Sequence, residues 1–362
     1  SALSWRLRNR FVWAGVEMGE HTPYRSCFCL ECGTLPLLKI WNLTWIFMLL
    51  GVKRTVLFCN LAVGFVALFA ASALGQGLKV TPGSIKIFDS PITVNIYESV
   101  NKPKNLITFV ALHHNEQVGL GVVKDAIKAK GGKLIEVVSL RDNKPERFVY
   151  FRRKDSTGKE RILCVDPNRI FSRSGIINTL TTITGRGCEN NLDAKAMAVV
   201  REPAVVDEIE RFQSDLFKMF DPKDRKNEVV VAVHNNTNNP DDKTGGISIK
   251  SFIKLGDDEY FNNEAAYIVQ REDPDDFIMV SNNFLFKTLI SDAPGVNQFS
   301  IAIQRQLPEE SKGFLSTKCG RLKINYVIVE AEHNFEGGGV NHGIRQRAMV
   351  DRLIDLFPAP AP

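Results

Sequence analysis

The pattern of apolar and polar positions predicts an alternation of strands and helices. Residues 83–100 alternate as short strands, and residues 106–112 form a continuous apolar run, typical of a strand buried on both faces of a parallel sheet. Residues 116–132 carry apolar positions at helical spacing and end on two glycines, which predicts a helix. The apolar run at 133–140 returns as a strand, so the segment predicts a strand–helix–strand unit.

The same reasoning extends the pattern to the end of the chain. We expect strands at 147–153, 160–165, 228–233, 276–281 and 323–332, and helices at 202–220 and 341–357. Strands that alternate with helices indicate an α/β fold. The sequence therefore predicts a single domain over residues 76–357, with a mixed, mainly parallel sheet flanked by helices, and a short tail at 358–362.

The N-terminal part of the chain has a different character. Within residues 48–75 a basic pair precedes a long apolar stretch and small residues follow it, which is the anatomy of a secretory signal peptide. The stretch is close to the roughly 20 residues that cross a bilayer, so an uncleaved segment would anchor the protein to a membrane. Residues 1–47 show little periodicity, and we expect them not to belong to the native protein. The mature protein is expected to be secreted or periplasmic.

Charge and cysteine content restrict the partners and the compartment. The chain has 46 Lys and Arg against 41 Asp and Glu, but seven and three of these fall in the first 75 residues, which leaves 39 against 38. The sequence shows no basic stripe with interleaved aromatic residues, so nucleic acid is not an expected partner. Downstream of the leader the chain has Cys164, Cys188 and Cys319. One disulfide, between Cys188 and Cys319, is expected in an oxidising compartment.

Three of the predicted apolar strands end in residues that bind metals. His113 and Glu116 follow one strand directly, and His234 follows another. Glu330 and Glu332 end a third. Because sites in open α/β sheets lie outside the carboxyl ends of the strands, we expect these side chains to share one crevice. Two histidines and a glutamate suit a catalytic zinc ion that keeps an open fourth position.

A second group of polar residues accompanies the strand predicted at 160–165. Arg161 lies within this strand, and Asn168 and Arg169 come just past it. Guanidinium groups grip carboxylates bidentately, so the segment indicates an anion-binding site. Salt bridges at the edge of a sheet are the alternative explanation for the two arginines.

Three short blocks, in this order along the chain, carry a family resemblance. They read "HHNEQVG" at 113–119, "DPNRIF" at 166–171 and "VHNNT" at 233–237. These blocks resemble the signature motifs of the zinc carboxypeptidase superfamily, and are most similar to its aspartoacylase and succinylglutamate desuccinylase branch. The resemblance spans about residues 105–357. It implies the fold of that superfamily and one bound zinc ion, and it says less about the substrate.

The resemblance also implies roles for individual residues. By position in the motifs, His113, Glu116 and His234 would bind the zinc ion. Asn168 and Arg169 would hold a carboxylate of the substrate.

The remaining catalytic roles have two candidates each. Glu330 is expected to be the general base, because the apolar strand reaches it directly, and Glu332 is its rival two residues later. Arg161 is expected to polarise the scissile carbonyl, with Arg152 as the second choice. The segment 172–227 matches no block and is expected to form either a pocket wall or a lid.

These expectations lead to three candidate functions. The first is an exported zinc-dependent hydrolase that cleaves an amide bond next to a free carboxylate, as a carboxypeptidase or amidase on small peptides, with peptidoglycan stem peptides as one candidate substrate. The second is an N-acyl amino acid deacylase of the aspartoacylase and desuccinylase type. The third is a binding protein that keeps the fold and has lost catalysis. A complete set of ligands and base argues against the third.

Overall fold

Strands and helices are described over most of residues 77–359. The computed structural model describes residues 77–102, 104–183, 187–236, 249, 266–267, 275–291, 299–304, 312–332 and 342–359. The upstream segment 1–47 and the signal peptide predicted at 48–75 lie outside these residues, and both stay predictions. None of the described helices is both long and apolar enough to span a bilayer.

Among the described residues there are thirteen strands and seven helices. The strands are β1 (Leu78–Ile87), β2 (Ser90–Ser99), β3 (Ile107–Ala111), β4 (Lys133–Val138), β5 (Leu140–Arg141), β6 (Lys144–Pro145), β7 (Val149–Lys154), β8 (Glu160–Val165), β9 (Val229–Asn236), β10 (Ala266–Tyr267), β11 (Phe277–Val280), β12 (Ser300–Ile303) and β13 (Asn325–Glu332). The helices are α1 (Gln117–Lys130), α2 (Arg173–Thr182), α3 (Ala194–Val200), α4 (Pro203–Lys218), α5 (Asn283–Ser291), α6 (Leu315–Arg321) and α7 (His342–Leu356).

Nine of these strands form one sheet, in the order β1-β2-β4-β3-β9-β13-β11-β12-β10. At its centre β4, β3, β9 and β13 run parallel to one another. The pairs β1–β2 and β2–β4 on one side are antiparallel, as are β13–β11 and β12–β10 on the other. The remaining strands form two hairpins, β5–β6 and β7–β8. The predicted mixed sheet is therefore confirmed, with its parallel strands in the middle.

The apolar run of β9 shows why the central strands are buried on both faces. Val230 and Ala232 belong to one hydrophobic core, whereas Val229, Val231 and Val233 belong to another. This separation follows from the alternation of side chains along a strand. Buried side chains of α2, α3, α4 and α6 fill the first core, and those of α1, α5 and α7 fill the second. The predicted helices on both faces of the sheet are confirmed.

The disulfide differs from the expected one. Cys164 at the end of β8 pairs with Cys188, and Cys319 is a free, buried thiol on α6. The side chain of Asn190 brings the first two cysteines together, because its Oδ1 accepts from the backbone N–H of Cys164 at 3.0 Å and its Nδ2 donates to the Cys164 carbonyl at 2.8 Å. The resulting Cα–Cα distance of 5.6 Å suits a disulfide. The predicted Cys188–Cys319 bridge is wrong.

Candidate metal centre and active site

The turn between β3 and α1 places two predicted zinc ligands side by side. The strand ends at Ala111, and the helix begins at Gln117. The backbone N–H of Glu116 donates to the carbonyl of His113 at 3.3 Å, which closes the turn. His113 and Glu116 therefore leave the sheet together, at the carboxyl end of a buried strand.

The third predicted ligand joins them from the neighbouring strand β9. One ligand atom each from His113, Glu116 and His234 lies within 4.8 Å of the others, and all three residues are buried. The Nδ1 of His113 is 2.8 Å from Oε1 of Glu116, and the Nδ1 of His234 is 3.1 Å from Oε2 of the same carboxylate. The first and third motif blocks thus meet in one place. We call these three residues the metal cluster.

Asp166 lies behind the metal cluster and fixes one of its imidazoles. The Nε2 of His113 is 2.8 Å from Oδ1 of this buried aspartate. Each ring nitrogen of His113 faces one carboxylate, which suits a protonated imidazole in the metal-free protein. A metal ion at Nδ1 would replace the proton there, while Asp166 would keep the proton on Nε2. Asp166 begins the second motif block, although the motif resemblance implied no role for it. A carboxylate that orients a metal-binding histidine is the usual arrangement around zinc.

The charges of the metal cluster are strongly coupled. For His113, burial would lower the pKa, but the negative charges of Asp166 and Glu116 outweigh it and raise the pKa to about 9. Burial would raise the pKa of Glu116, but the positive charges of His234 and His113 outweigh it and lower the pKa to about 2. The carboxylate is therefore ionised at neutral pH. Two imidazoles and one carboxylate in a buried group fit the donor set of a catalytic zinc ion.

Glu330 lies beside the metal cluster on β13. It is the register partner of His234 across the parallel β9–β13 pair, and only 3% of its surface is exposed. Its Oε2 is buried with no hydrogen-bond partner among the described residues. Burial raises the pKa of this carboxyl to about 7, because the opposing charge of His234 compensates only in part. A buried, under-satisfied carboxyl with a pKa near neutrality is suited to general base chemistry.

The rival base, Glu332, is described in its backbone alone. It lies two residues further along β13, on the same face as Glu330, and its register partner is Asn236. Its side chain lies outside the described residues. The choice of Glu330 over Glu332 therefore stays a prediction.

The structure does not bring Arg161 to the metal cluster. Its buried guanidinium lies 3.0 Å from Asp155, 3.0 Å from Asp193 and 3.3 Å from Glu189. It lies near the start of β8, whereas Asp166 follows the end of this strand. Five residues of extended chain separate them by roughly 16 Å. The expected position of Arg161 at the scissile carbonyl is thus not what the fold provides.

The second choice, Arg152, also lies away from the metal cluster. It is an exposed residue of β7, and its guanidinium is 2.5 Å from Glu160 on β8. It lines an open cavity of about 1020 Å³ that contains none of the cluster residues. Size alone therefore does not identify the site, and we place it at the buried cluster because of the chemistry there.

Arg147 lies next to the metal cluster, where Arg161 was expected. Its Nε is 3.1 Å from Oδ2 of Asp166, and its Nη1 is 4.0 Å from Oε1 of Glu116. Its positive charge also opposes part of the rise in the pKa of Glu330. No motif marks this residue. The β7–β8 hairpin brings Arg147 close to Asp166. It pairs Val149, two residues after Arg147, with Val165, the residue directly before Asp166.

Asn168 and Arg169 lie in the loop that follows Asp166. Asn168 makes two hydrogen bonds within the protein. Its backbone N–H donates to Oδ1 of Asp166 at 2.9 Å, and its Oδ1 accepts from the backbone N–H of Leu315 at 3.4 Å. The Arg169 guanidinium lies 3.9 Å from the ring centre of Phe314, and burial lowers its pKa. The predicted contact of both residues with a substrate carboxylate stays a prediction.

A cavity of about 390 Å³ is lined by Asp166 and by helix α2, and, like the larger cavity, it is lined by none of the three cluster residues. Its charged lining consists of Arg147, Arg169, Lys312 and Asp166. Three positive side chains against one carboxylate favour an anionic occupant. Helix α2, from the unmatched segment 172–227, supplies much of its remaining wall. That part of the segment therefore forms a pocket wall.

His114 does not join the metal cluster and packs on the opposite side of the turn. Its Nδ1 is 3.0 Å from Oε1 of Glu136, a fully buried carboxylate on β4. Lys124 lies 3.1 Å from the other oxygen, which also accepts from the hydroxyl of Tyr97 at 2.6 Å. These contacts tie the turn to α1, β2 and β4.

Comparison with known proteins gives only distant similarity. No family model matches the chain, and no curated protein matches it. Similar solved structures include the apo form of the ectoine utilization protein EutE from Ruegeria pomeroyi, with 10% identity over 79% of this chain and 70% of that one and a TM-score of 0.38. A metallo-carboxypeptidase from Burkholderia cenocepacia is 11% identical, covering 80% and 65%, with a TM-score of 0.33.

A third similar structure is the succinylglutamate desuccinylase from Chromobacterium violaceum. It is 9% identical over 81% of this chain and 76% of that one, with a TM-score of 0.34. At this level of similarity the chemistry proposed below rests on the chain's own residues.

Proposed function

We propose that the chain is a zinc-dependent hydrolase that cleaves an amide bond next to a free carboxylate, as a carboxypeptidase or amidase on small peptides. One observation carries this proposal. Two imidazoles and a carboxylate form a buried donor set, and Glu330, with a pKa raised to about 7, lies beside it. An inert core has no use for a carboxyl whose buried oxygen has no partner among the described residues.

His113, Glu116 and His234 would hold the zinc ion. When bound, zinc acidifies a water molecule and polarises a carbonyl group. Glu330 accepts the proton of the attacking water and returns it to the leaving amine, and a pKa near 7 suits both steps. We assign to Arg147, in place of Arg161, the donation of hydrogen bonds to the oxyanion that develops on the carbonyl.

The substrate carboxylate is assigned to the cavity beside Asp166. Arg169 offers a planar guanidinium there, held against the ring of Phe314, and Asn168 lies next to it in the loop. The cavity volume of about 390 Å³ lies at the small end of ligand pockets. This size supports a small substrate, and it is also why an N-acyl amino acid deacylase remains the second candidate function.

Export of the protein is part of the proposal. It is supported by the signal peptide predicted at 48–75 and by the disulfide between Cys164 and Cys188, since such bonds persist mainly in oxidising compartments. An exported hydrolase of this kind meets cell-wall peptides, which is why peptidoglycan stem peptides are one candidate substrate.

Incubation with a mixed substrate panel tests the proposal. The zinc-loaded protein is incubated with peptidoglycan fragments, short peptides and N-acyl amino acids, and the products are identified by mass spectrometry with and without a chelator. We expect release of a carboxylate-bearing amine that stops on chelation. Release from N-acyl amino acids alone would select the deacylase. A protein that binds panel members without cleaving any of them would support the inactive binding protein instead.

A further inference from the structure

Gly119 in the first motif block and Asn235 in the third have no role in the chemistry described so far. Their positions become informative at the start of helix α1. Glu116 is the N-cap residue of this helix, but it makes no capping hydrogen bond with its side chain. Its carboxylate contacts the imidazoles of His113 and His234 instead. The first N–H groups of α1 therefore need an acceptor from elsewhere.

Asn235 supplies that acceptor from the other half of the metal cluster. The backbone N–H of Gly119 donates to Oδ1 of Asn235 at 2.9 Å. This asparagine follows His234 directly on β9, so one side chain links the helix behind His113 and Glu116 to the strand that carries the third ligand. The approach is close: a Cβ atom at Gly119 would lie 2.9 Å from Cγ1 of Val233 and 3.1 Å from Oδ1 of Asn235.

Gln346 on α7 completes the link. Its Nε2 donates to the carbonyl of His234 at 2.8 Å, and its Oε1 accepts from Nδ2 of Asn235 at 3.2 Å. The residue is fully buried, so both ends of its amide depend on these partners. Its side chain contacts the backbone carbonyl of His234, a predicted ligand, and makes no hydrogen bond to the imidazole of that residue. Three hydrogen bonds thus connect α1, β9 and α7. They join Gly119 to Asn235, Asn235 to Gln346, and Gln346 to the carbonyl of His234.

We propose that Asn235 and Gln346 are positioning residues that set the separation between the two halves of the metal cluster. One half is the turn with His113 and Glu116, and the other is His234. The inference rests on the proposed zinc site. It explains why an asparagine follows the third ligand and why a glycine stands three residues after the second. Glu116 cannot cap its own helix while it serves the imidazoles, so the neighbouring ligand strand caps it.

Zinc affinity tests this inference without any need for a substrate. The dissociation constant for zinc is measured by competition with a chromophoric chelator for the wild type, Asn235→Ala and Gln346→Leu. We expect both variants to bind zinc roughly 10- to 100-fold more weakly, the range typical for outer partners of metal ligands. Asn235→Asp keeps the acceptor for Gly119 and should recover most of the affinity. Should Gln346→Leu fail to fold, Gln346→Glu removes the same donor to the His234 carbonyl.

Asn282 provides a matched control at the other end of the sheet. Its Oδ1 accepts from the backbone of Leu285 at 2.9 Å near the start of α5, and its Nδ2 donates to Asn325 at 3.0 Å. Asn282→Ala therefore removes the same two kinds of hydrogen bond far from the ligands, and it should leave the zinc dissociation constant unchanged. Equal zinc binding in all variants, or equal weakening in the control, would overturn the inference. A wild-type protein that binds no zinc would instead overturn the proposed function.

Discussion

Two groups of charged side chains, each partly buried, lie at opposite ends of strand β8, and they differ in how completely their charges are paired. At the start of the strand, the guanidinium of Arg161 contacts the carboxylates of Asp155, Glu189 and Asp193. Asp155 also accepts from the hydroxyl and the backbone of Thr157. Every one of these charged side chains has a partner of opposite charge or a hydrogen-bond donor.

The group at the end of the strand is organised differently. Here Asp166 and Glu116 share two imidazoles and one arginine, Arg147, and the nearby Glu330 has a buried oxygen without a hydrogen-bond partner in the described part of the chain. Incomplete pairing is costly in a low-dielectric interior, so a sequence keeps it where the site does chemistry. The comparison teaches that a buried arginine is not by itself a sign of a site, whereas an unsatisfied carboxyl beside potential metal ligands is.

The largest expected effect comes from removing the unsatisfied carboxyl. Glu330→Gln keeps the size of the side chain and loses the base. We therefore expect kcat to fall roughly 10²- to 10⁴-fold, with zinc still bound. Steady-state kinetics together with metal analysis measure both quantities. Glu332→Gln is the matched control. If it loses turnover and Glu330→Gln does not, the wrong glutamate has been assigned.

Replacing Arg147 and Arg161 one at a time separates a catalytic arginine from a stabilising one. Arg147→Ala removes a donor to the developing oxyanion and should lower kcat by about two to three orders of magnitude, with little change in melting temperature. Arg161→Ala leaves three carboxylates without their guanidinium and should lower the melting temperature, while the folded fraction keeps its turnover. Kinetics and thermal unfolding of both variants check this. The reverse pattern would return Arg161 to the catalytic role.

Loss of the disulfide should have a smaller effect, confined to stability. The Cys164–Cys188 bond closes a loop with a sequence separation of 24 residues. Its removal in a Cys164→Ser/Cys188→Ser variant should lower the free energy of unfolding by about 2–4 kcal/mol. Denaturant unfolding measures the difference, and Cys319→Ser serves as the control that removes a thiol without removing a bond. Equal stability of the double variant and the wild type would contradict this assignment.

The smallest expected effect is a dependence of stability on pH in the zinc-free protein. The pKa of His113 is raised from 6.5 to about 9, so the folded state binds a proton more tightly than the unfolded state. This contribution to stability is fully present below pH 6.5 and is lost as the pH rises through 9. We expect the melting temperature of the chelated protein to fall over this window. The melting temperature of the zinc-loaded protein should fall less over the same window, because metal ligation already requires neutral imidazoles.

Much of this fold could be predicted because the central elements have strong patterns. The run from Val229 to Val233 is uninterrupted and buried on both sides, and helix α4 has clear apolar spacing. The short helices α2 and α6 were not predicted, since they are only ten and seven residues long and contain glycine. They are stable because their apolar side chains pack on the sheet, which local propensity does not reveal.

The candidate site shows the same division. His113, Glu116 and His234 could be predicted because they lie near the carboxyl ends of two apolar strands and belong to recognisable motifs. Arg147 could not, because its place in the site depends on the pairing of β7 with β8, and no motif surrounds it. Spacing along the sequence favoured Arg161 instead, which lies on the correct strand at the wrong end. The motifs therefore located the metal cluster, whereas only the hairpin geometry places Arg147 beside it.

The most direct test of the account is the identity of the atoms that bind the metal. X-ray absorption at the zinc edge, on protein loaded with one equivalent of zinc, reports the donors and their distances. We expect two imidazole nitrogens and a carboxylate at about 2.0–2.2 Å, and loss of one nitrogen in His234→Ala. A zinc spectrum that His234→Ala leaves unchanged, or a protein that takes up no zinc, would contradict it.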